Sequence, residues 1–391
     1  MSRTSILIGC TSHQPQFADE CAVGEVFYRA PVYDVIFSCI SPRDLVRLGY
    51  TCHAAYAASK DYSRRAFLIN RHISRFLEKP LDFRSLQACT GTLIAGSNAL
   101  QFLDRTFYVD ADMDLYVHPG HAREVLDYVV EREGYTFKPH SRQPQDYRTI
   151  VSDTWDNTQT GRCYSIKGVK SVFSLEKHGS NGFLKIQVIE CATSPFDTII
   201  NFHSTCVMNF IAFDAAYSLY PIATFEDRST LQVWRERPLH DLTVPIKYGQ
   251  RGFQWFSTLP GNMTSQSFYP HRIRTVGDQY TWRLALDMQG VELRPQMSLS
   301  STPFQFDPVT CNGWSLLERD EEMATVYEPI QSSIFRYNYT TANAILHLDL
   351  YRFMLEQCFL RRTSLQLEGT DLLEQAKQTW YVITTTSLLC G

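Results

Sequence analysis

The sequence predicts an α/β fold of the α+β type, in which helices pack on a mixed sheet. Between about residues 80 and 255, short apolar runs typical of strands alternate with amphipathic helical segments. This alternation is typical of a domain that combines helices with a central sheet. Apolar residues recur at helical spacing over residues 30–77, and strand-like pieces follow residue 256. We therefore expect an N-terminal helical segment and a C-terminal β-containing region around the sheet.

The length of the chain predicts more than one domain. It has 391 residues, of which 44% are hydrophobic and 20% charged, as in ordinary globular proteins. The expected parts are a flexible tail, a helical segment, an α/β domain and a region of mixed β and helix, over residues 1–28, 29–78, 80–255 and 256–391.

Charge and cysteine usage exclude several classes of protein. The net charge of −4 does not indicate general nucleic-acid binding. Eleven cysteines without any Cys-x-x-Cys pair predict reduced thiols, as in a cytoplasmic or nuclear protein. Because no apolar run reaches about 18 residues, we expect no membrane segment.

The elements of the α/β domain can be placed in order. "TLIAG" predicts a strand, "SNALQFLDR" a helix, and "FYVDADMDLYV" a second strand. An amphipathic helix, "HAREVLDYVVEREGY", ends at Gly134. The strands "SVFSLEK" and "FLKIQVIEC" follow, and helical segments are expected from there to about Gly252.

Aspartates are crowded onto one face of the second predicted strand. Side chains alternate across a strand, so Asp112 and Asp114 share a face, and Asp110 joins them if the strand begins early enough. Neighbouring carboxylates repel each other and raise one another's pKa, at a cost in stability. Mg²⁺ relieves that cost and binds through one or two carboxylates plus substrate phosphates. The pattern predicts a magnesium site with Asp112 and Asp114 as metal ligands and catalytic residues.

A phosphate site is predicted just upstream. Gly96 and Ser97 lie between a predicted strand and a predicted helix. The free N–H groups of a helix N-terminus suit phosphate, glycine allows close approach, and a serine hydroxyl adds a hydrogen bond. Together with the aspartate strand, these groups are the ones that metal-assisted phosphoryl or nucleotidyl transfer requires.

The Gly-Ser pair followed by Asp-x-Asp resembles the signature of the nucleotidyltransferase superfamily. With "FHSTCVMNFI", "LYPIATFEDR" and "KYGQRGF" downstream, residues 85–255 resemble a group of fungal proteins that carry this domain. The resemblance implies a nucleotidyltransferase-like mixed-sheet core that binds a nucleoside triphosphate and Mg²⁺. Gly96 and Ser97 would contact the phosphates, and Asp112 and Asp114 would hold the metal.

One position departs from the superfamily pattern. Active members place a third carboxylate on a later strand, and the corresponding residue here is Gln187. An amide cannot take a proton at physiological pH, although its oxygen can contact a metal or a ribose. Glu190 is expected on the opposite face, and Asp110 could substitute. The pattern thus favours nucleotide binding over catalysis.

Basic and nucleophilic residues downstream have two interpretations each. Lys247, one helical turn before Arg251, can reach a nucleotide phosphate or belong to a solvated basic face. His203, expected in an apolar helical run with Cys206, could be a general base, but a core histidine is the favoured interpretation.

The helical segment has apolar residues at a characteristic spacing, among them Pro31, Ile36, Leu45 and Leu48. In these positions it resembles an F-box, the module that docks on the Skp1-like adaptor of ubiquitin ligases, although Ala30 stands where the usual leucine precedes the proline. The resemblance implies a second function, a substrate adaptor with a degenerate core. A helical cap on the α/β domain and a scaffold that binds neither ligand remain alternatives. Ser41, followed by Pro42 and Asp44, is predicted to cap a helix.

Overall fold

A computed structural model of the chain divides it into two compact units, Met1–Ala66 and Phe67–Gly391. The expected domain boundary lay at residues 78–80. The structure describes residues 25–109, 111–141, 143–151, 167–179, 182–233, 242–261, 263–293, 308–319, 322–331, 336–345, 347–348, 351–352 and 355. Of the expected tail, residues 1–24 lie outside this range.

In the described part of the first unit residues 25–28 are helical, and three further helices follow them, α1 (Ala30–Cys39), α2 (Pro42–Gly49) and α3 (His53–Ala66). The prediction for the start of α2 is confirmed, because the Ser41 hydroxyl accepts a hydrogen bond from the backbone N–H of Asp44 at 3.1 Å. Apolar side chains at helical spacing meet between the helices. The buried residues of this core are Tyr33, Phe37, Leu45, Ala58 and Tyr62.

The second unit is built on a mixed sheet with eight strands among the described residues. The strands are β1 (Leu93–Ala95), β2 (Met113–Val117), β3 (Thr136–Phe137), β4 (Val169–Gly179), β5 (Gly182–Cys191), β6 (Asn209–Ile211), β7 (Ala215–Ser218) and β11 (Trp282–Ala285). Their order across the sheet is β11-β7-β6-β1-β2-β5-β4-β3, in which β2 and β5 pair in parallel and the other neighbours are antiparallel. The mixed α/β class is thereby confirmed.

Short helices surround this sheet. A π-helical turn, Tyr128–Arg132, continues α7, and Gly134 follows it with φ at +72°. The helices are α4 (Ile69–Ile73), α5 (Pro80–Thr90), α6 (Gly96–Asp104), α7 (Ala122–Asp127), α8 (Tyr147–Val151), α9 (Pro195–Ile199) and α10 (Thr243–Gln250). No helix among the described residues is long and apolar enough to cross a membrane.

Smaller sheets complete the second unit. β8 (Ser229–Leu231) pairs with β9 (Gln254–Phe256), and a three-stranded sheet contains β10 (Ile273–Thr275), β12 (Gly313–Arg319) and β13 (Glu322–Val326). β14 (Glu328–Ile330) pairs with β15 (Tyr339–Thr341). The segment "WYVITTTSLLC", one of the strand-like pieces of the C-terminal region, lies outside the described residues. The described residues between 344 and 355 are helical, in agreement with the expected mixture of β and helix in this region.

The predicted aspartate strand is shorter than expected. It begins at Met113 rather than Phe107, because residues before it bond to side chains instead of a neighbouring strand. The backbone N–H of Tyr108 donates to Gln101 Oε1 at 2.7 Å, and Arg75 donates to the carbonyl oxygens of Tyr108 and Val109. Asp112 therefore lies just before the strand, while Asp110 is outside the described residues.

The expectation of helical segments between residue 192 and Gly252 is confirmed in part by α9, α10 and a π-helical turn, Ile222–Glu226, but strands also lie in this stretch. β6 and β7 occupy this stretch and form the sheet beside β1. Their side chains are buried throughout, so the sequence shows a continuous apolar run rather than an alternating one. Such a run does not distinguish a buried strand from a buried helix.

Candidate functional site

The predicted site residues meet along one row that crosses three strands. Ala95, the last residue of β1, pairs with Asp114 on β2, and Asp114 pairs with Gln187 on β5. Gly96 continues directly from β1 into the first turn of α6. The helix N-terminus, the carboxylate of Asp114 and the amide of Gln187 are therefore adjacent on one side of the sheet. We call the group of Asp112, Asp114, Lys185 and Gln187 the carboxylate face.

Gly96 is required at its position for two reasons. Its φ is +68°, in the left-handed region where side chains are strained. A Cβ atom there would also lie 3.2 Å from Asp114 Oδ2. Ser97 follows in the first helical turn, where Ala95 provides no side-chain cap. The first N–H groups of α6 thus remain available to an anion close to Asp114.

The carboxyl group of Asp114 is destabilised in its charged form. Burial and, to a lesser degree, the nearby charge of Asp112 raise its pKa to about 7, although Lys185 and Lys247 act to lower it. Among the described residues, Asp114 has no ion-pair partner within 4.0 Å. The protein therefore holds a carboxylate where a cation would stabilise it.

Asp112 differs from Asp114 because it has a cationic neighbour. Lys185 Nζ lies 3.1 Å from Asp112 Oδ2. The backbone of Asp112 is also fixed, since the amide of Asn98 on α6 donates to its carbonyl oxygen at 3.5 Å and contacts His72 Nε2 at 2.7 Å. Sequence reasoning missed both Lys185 and Asn98. Lys185 was detectable, because it lies two residues before Gln187 and shares its face of β5.

A second cationic group faces the carboxylates from α10. Burial and the charge of Arg251 lower the pKa of Lys247, and Asp114 and Asp112 oppose that shift. The guanidinium of Arg251 lies 3.8 Å from the ring centroid of Tyr108, and its Nη1 is buried with no hydrogen-bond partner in the described structure. Lys247 and Arg251 are thus two cations near the site. This is what the interpretation in which they contact a nucleotide phosphate requires.

Glu190, one of the two carboxylates considered as replacements for Gln187, does not join the site. Glu190 is buried and pairs with Lys170, whose Nζ lies 3.0 Å from its Oε1. Asp110 is outside the described residues. The position beside Asp114 is therefore held by a neutral amide.

The donor set fits Mg²⁺ that arrives with a phosphate ligand. The described residues contain no group of three or more His, Cys, Asp or Glu side chains able to hold a metal ion. Two carboxylates and an amide oxygen are nevertheless suitable when phosphate oxygens and water complete the shell. The residues that would hold the ion are Asp112 and Asp114, with Gln187 beside them.

The surroundings of His203 and Cys206 indicate a structural role rather than a catalytic one. They do not lie on one helix, since His203 precedes a short 3₁₀ turn, Thr205–Val207. The ring of His203 packs against Tyr248 and Trp255, and its Nδ1 lies 2.8 Å from Ser204 Oγ. Burial raises the pKa of the Cys206 thiol to about 11, so it is protonated at neutral pH.

The residues predicted to bind a partner divide into two groups within the helical unit. Leu45 is 3% exposed and belongs to the core, and Leu48 packs against it. Pro31 is exposed, and Ile36 is 40% exposed. Ile36 lies on an apolar stripe of α1 with Val32 and Val35 at helical spacing. Of the four residues predicted to bind a partner, Pro31 and Ile36 on α1 are therefore the exposed ones.

Comparison with protein-family models, curated proteins and solved structures gives no match. The functional assignment rests on the residues of this chain.

Proposed function

We propose that the carboxylate face binds a nucleoside triphosphate together with Mg²⁺, as in a nucleotidyltransferase-like core. The observation that carries this proposal is the row from Ala95 through Asp114 to Gln187. It puts the first turn of α6 next to a carboxylate whose pKa is raised to about 7. Phosphate suits the helix N-terminus, and a cation suits the carboxylate.

Each residue has a role in binding. The backbone N–H groups at Gly96 and Ser97 would donate to phosphate oxygens, with the Ser97 hydroxyl adding a bond. Lys247, supported by Arg251, would neutralise phosphate charge from α10. Asp112 and Asp114 would hold the Mg²⁺ that accompanies the phosphates, and Gln187 would donate to or accept from a ribose hydroxyl.

Binding is better supported than transfer. Transfer to a hydroxyl acceptor needs a group that takes its proton, and the amide of Gln187 cannot do so. With Glu190 paired to Lys170, the described structure offers no free third carboxylate at this face. We therefore assign nucleotide binding as the function and leave the acceptor unspecified.

The thermal midpoint of unfolding tests this proposal. It would be measured with ATP, GTP, CTP and UTP, each with and without Mg²⁺, because a ligand that binds only the folded state raises the midpoint. We expect a rise for the wild type that is lost in Asp112→Asn/Asp114→Asn. The matched control is Asp214→Asn, which removes a carboxylate paired with Arg283 on the same sheet. No rise with any nucleotide in a cooperatively unfolding wild type would refute the proposal.

A second function is favoured by the exposed stripe on α1. Val35 is 67% exposed although the opposite face of the helix, with Tyr33 and Phe37, is in the core. A helix that is apolar on two faces buries the second one against a partner. We propose the F-box-type alternative on this ground, with Pro31, Val32, Val35 and Ile36 as the docking face for a Skp1-like adaptor.

Co-purification with such an adaptor tests the second function. Val35→Glu/Ile36→Glu should abolish it while leaving the helical unit folded, because both residues are outside the core. Val46→Glu, an exposed apolar residue on α2, is the matched control and should retain binding. Equal binding by all variants would exclude the α1 stripe as the docking face.

A further inference from the structure

Lys185 occupies the position that a cation would need beside Asp112. Its Nζ lies 3.1 Å from Asp112 Oδ2, and the two side chains are 36% and 35% exposed, respectively. Lys185 and Gln187 alternate with buried residues on β5 and share its polar face. The carboxylate face therefore already contains one positive charge.

The positive charge of Lys185 disfavours the binding of a divalent cation. An ion bound to Asp112 would approach the ammonium group to within a few ångströms, and like charges at that separation repel each other even at a partly exposed site. Asp114 alone offers a single carboxylate, which gives weak binding of Mg²⁺. In the absence of another anion, the face is therefore poorly suited to hold the ion.

We propose that Lys185 is an internal counterion that makes divalent-cation binding depend on the nucleotide. The proposal rests on the nucleotide site assigned above. Lysine carries its charge on a flexible four-carbon stem, so its ammonium group can turn from Asp112 to a phosphate oxygen without backbone movement. Asp112 is then free to contact the ion that accompanies the phosphates. Lys185 is in this sense a positioning residue, which makes binding of the ion follow binding of the nucleotide.

Binding of Mn²⁺, followed by electron paramagnetic resonance of the free ion, tests the proposal. Without nucleotide, Lys185→Met should bind Mn²⁺ about tenfold or more tightly than the wild type, which corresponds to about 1.4 kcal/mol or more. Lys185→Arg keeps the positive charge and should behave as the wild type. With a non-hydrolysable ATP analogue, the wild type should gain Mn²⁺ affinity, and the gain should be smaller in Lys185→Met.

A control separates this effect from a general change in charge. Lys177→Met removes the same charge from β4, where Lys177 pairs with Glu78 at 2.6 Å. It should leave Mn²⁺ binding unchanged, and circular dichroism verifies that each variant is folded. Equal Mn²⁺ affinity of wild type and Lys185→Met without nucleotide would overturn the proposal.

Failure of the underlying nucleotide site would give a different result. If no variant bound the ATP analogue, the proposed function and the nucleotide dependence would both be refuted. A gain of Mn²⁺ affinity in Lys185→Met under those conditions would still support the role of Lys185 as the counterion of Asp112.

Discussion

Two groups of charged residues in the second unit differ in whether a buried or half-buried charge has a partner of opposite sign. Arg274 is fully buried, and its Nε donates to Asp278 Oδ2 at 2.5 Å while its Nη2 donates to the Leu219 carbonyl at 3.0 Å. Four aromatic rings lie within cation–π distance of its guanidinium, those of Tyr220, Tyr269, Tyr280 and Trp314. At the carboxylate face, by contrast, Asp114 has no such partner among the described residues.

The pKa values of the two aspartates reflect this difference. Burial raises the pKa of both, but at Asp278 the hydrogen bond and charge of Arg274 outweigh it and lower the pKa overall. At Asp114 the charge of Asp112 adds to burial, and Lys185 and Lys247 compensate only in part. In the first group the charges of Arg274 and Asp278 pair with each other and stabilise the fold, although Nη1 of Arg274 has no hydrogen-bond partner in the described structure. The second lacks a cation, as expected of a ligand site.

Breaking the ion pair of Arg274 and Asp278 should have the largest effect on the free energy of unfolding. Arg274→Met leaves Asp278 without its partner and empties the centre of the aromatic cage, so we expect a loss of about 3–5 kcal/mol in the free energy of unfolding. Urea denaturation measures it. Arg274→Met/Asp278→Asn should recover part of the loss, since no buried charge is left unpaired. A loss below about 1 kcal/mol in the single variant would show that the pair is not structural.

Removing the charge of Asp114, which has no ion-pair partner among the described residues, should stabilise the protein. The folded-state pKa of Asp114, about 7, is above its usual value, so its stability contribution is fully present below about pH 4 and lost as the pH rises to 7. Because Asp114 is in part accessible to water, we expect Asp114→Asn to be more stable than the wild type by about 2 kcal/mol at pH 8. The two proteins should be equally stable near pH 4. Urea titrations at both pH values measure this, and a less stable variant at pH 8 would contradict it.

Two glycine variants distinguish close approach from backbone strain at the edge of the carboxylate face, with a smaller expected difference in stability. Gly96→Ala introduces a side chain at φ +68° and 3.2 Å from Asp114 Oδ2, which should destabilise the protein by about 1–3 kcal/mol. Gly134→Ala is the matched control, because φ is +72° there and nothing lies within 4 Å of the added Cβ. The variant at Gly96 should be the less stable one by about 1 kcal/mol. Equal losses in thermal or urea unfolding would show that only strain matters.

Local sequence patterns predicted the parts of the site that depend on neighbouring residues. The strand before Gly96, the helix after it and the cap at Ser41 follow from apolar runs and capping chemistry, and the structure has them. Asp114 lies on the polar face of β2 because side chains alternate along a strand.

Strand neighbours could not be predicted from the same patterns. The pairing of Asp114 with Gln187 depends on the parallel register of β2 and β5, which are separated by more than 60 residues of chain. The ion pair between Asp112 and Lys185 depends on that register too. The buried strands β6 and β7 have no alternating pattern, because both of their faces are covered.

Proton release on nucleotide binding tests most directly whether the carboxylate face is incomplete without a ligand. Isothermal titration calorimetry with a preformed Mg²⁺–nucleotide complex, repeated in buffers of different ionisation enthalpy, gives the number of protons released. With the pKa of Asp114 at about 7, binding at pH 7 should release about half a proton per chain, falling towards zero at pH 9. Asp114→Asn, if it still binds, should release none. Binding without proton release at pH 7, or the same release in Asp114→Asn, would contradict the account.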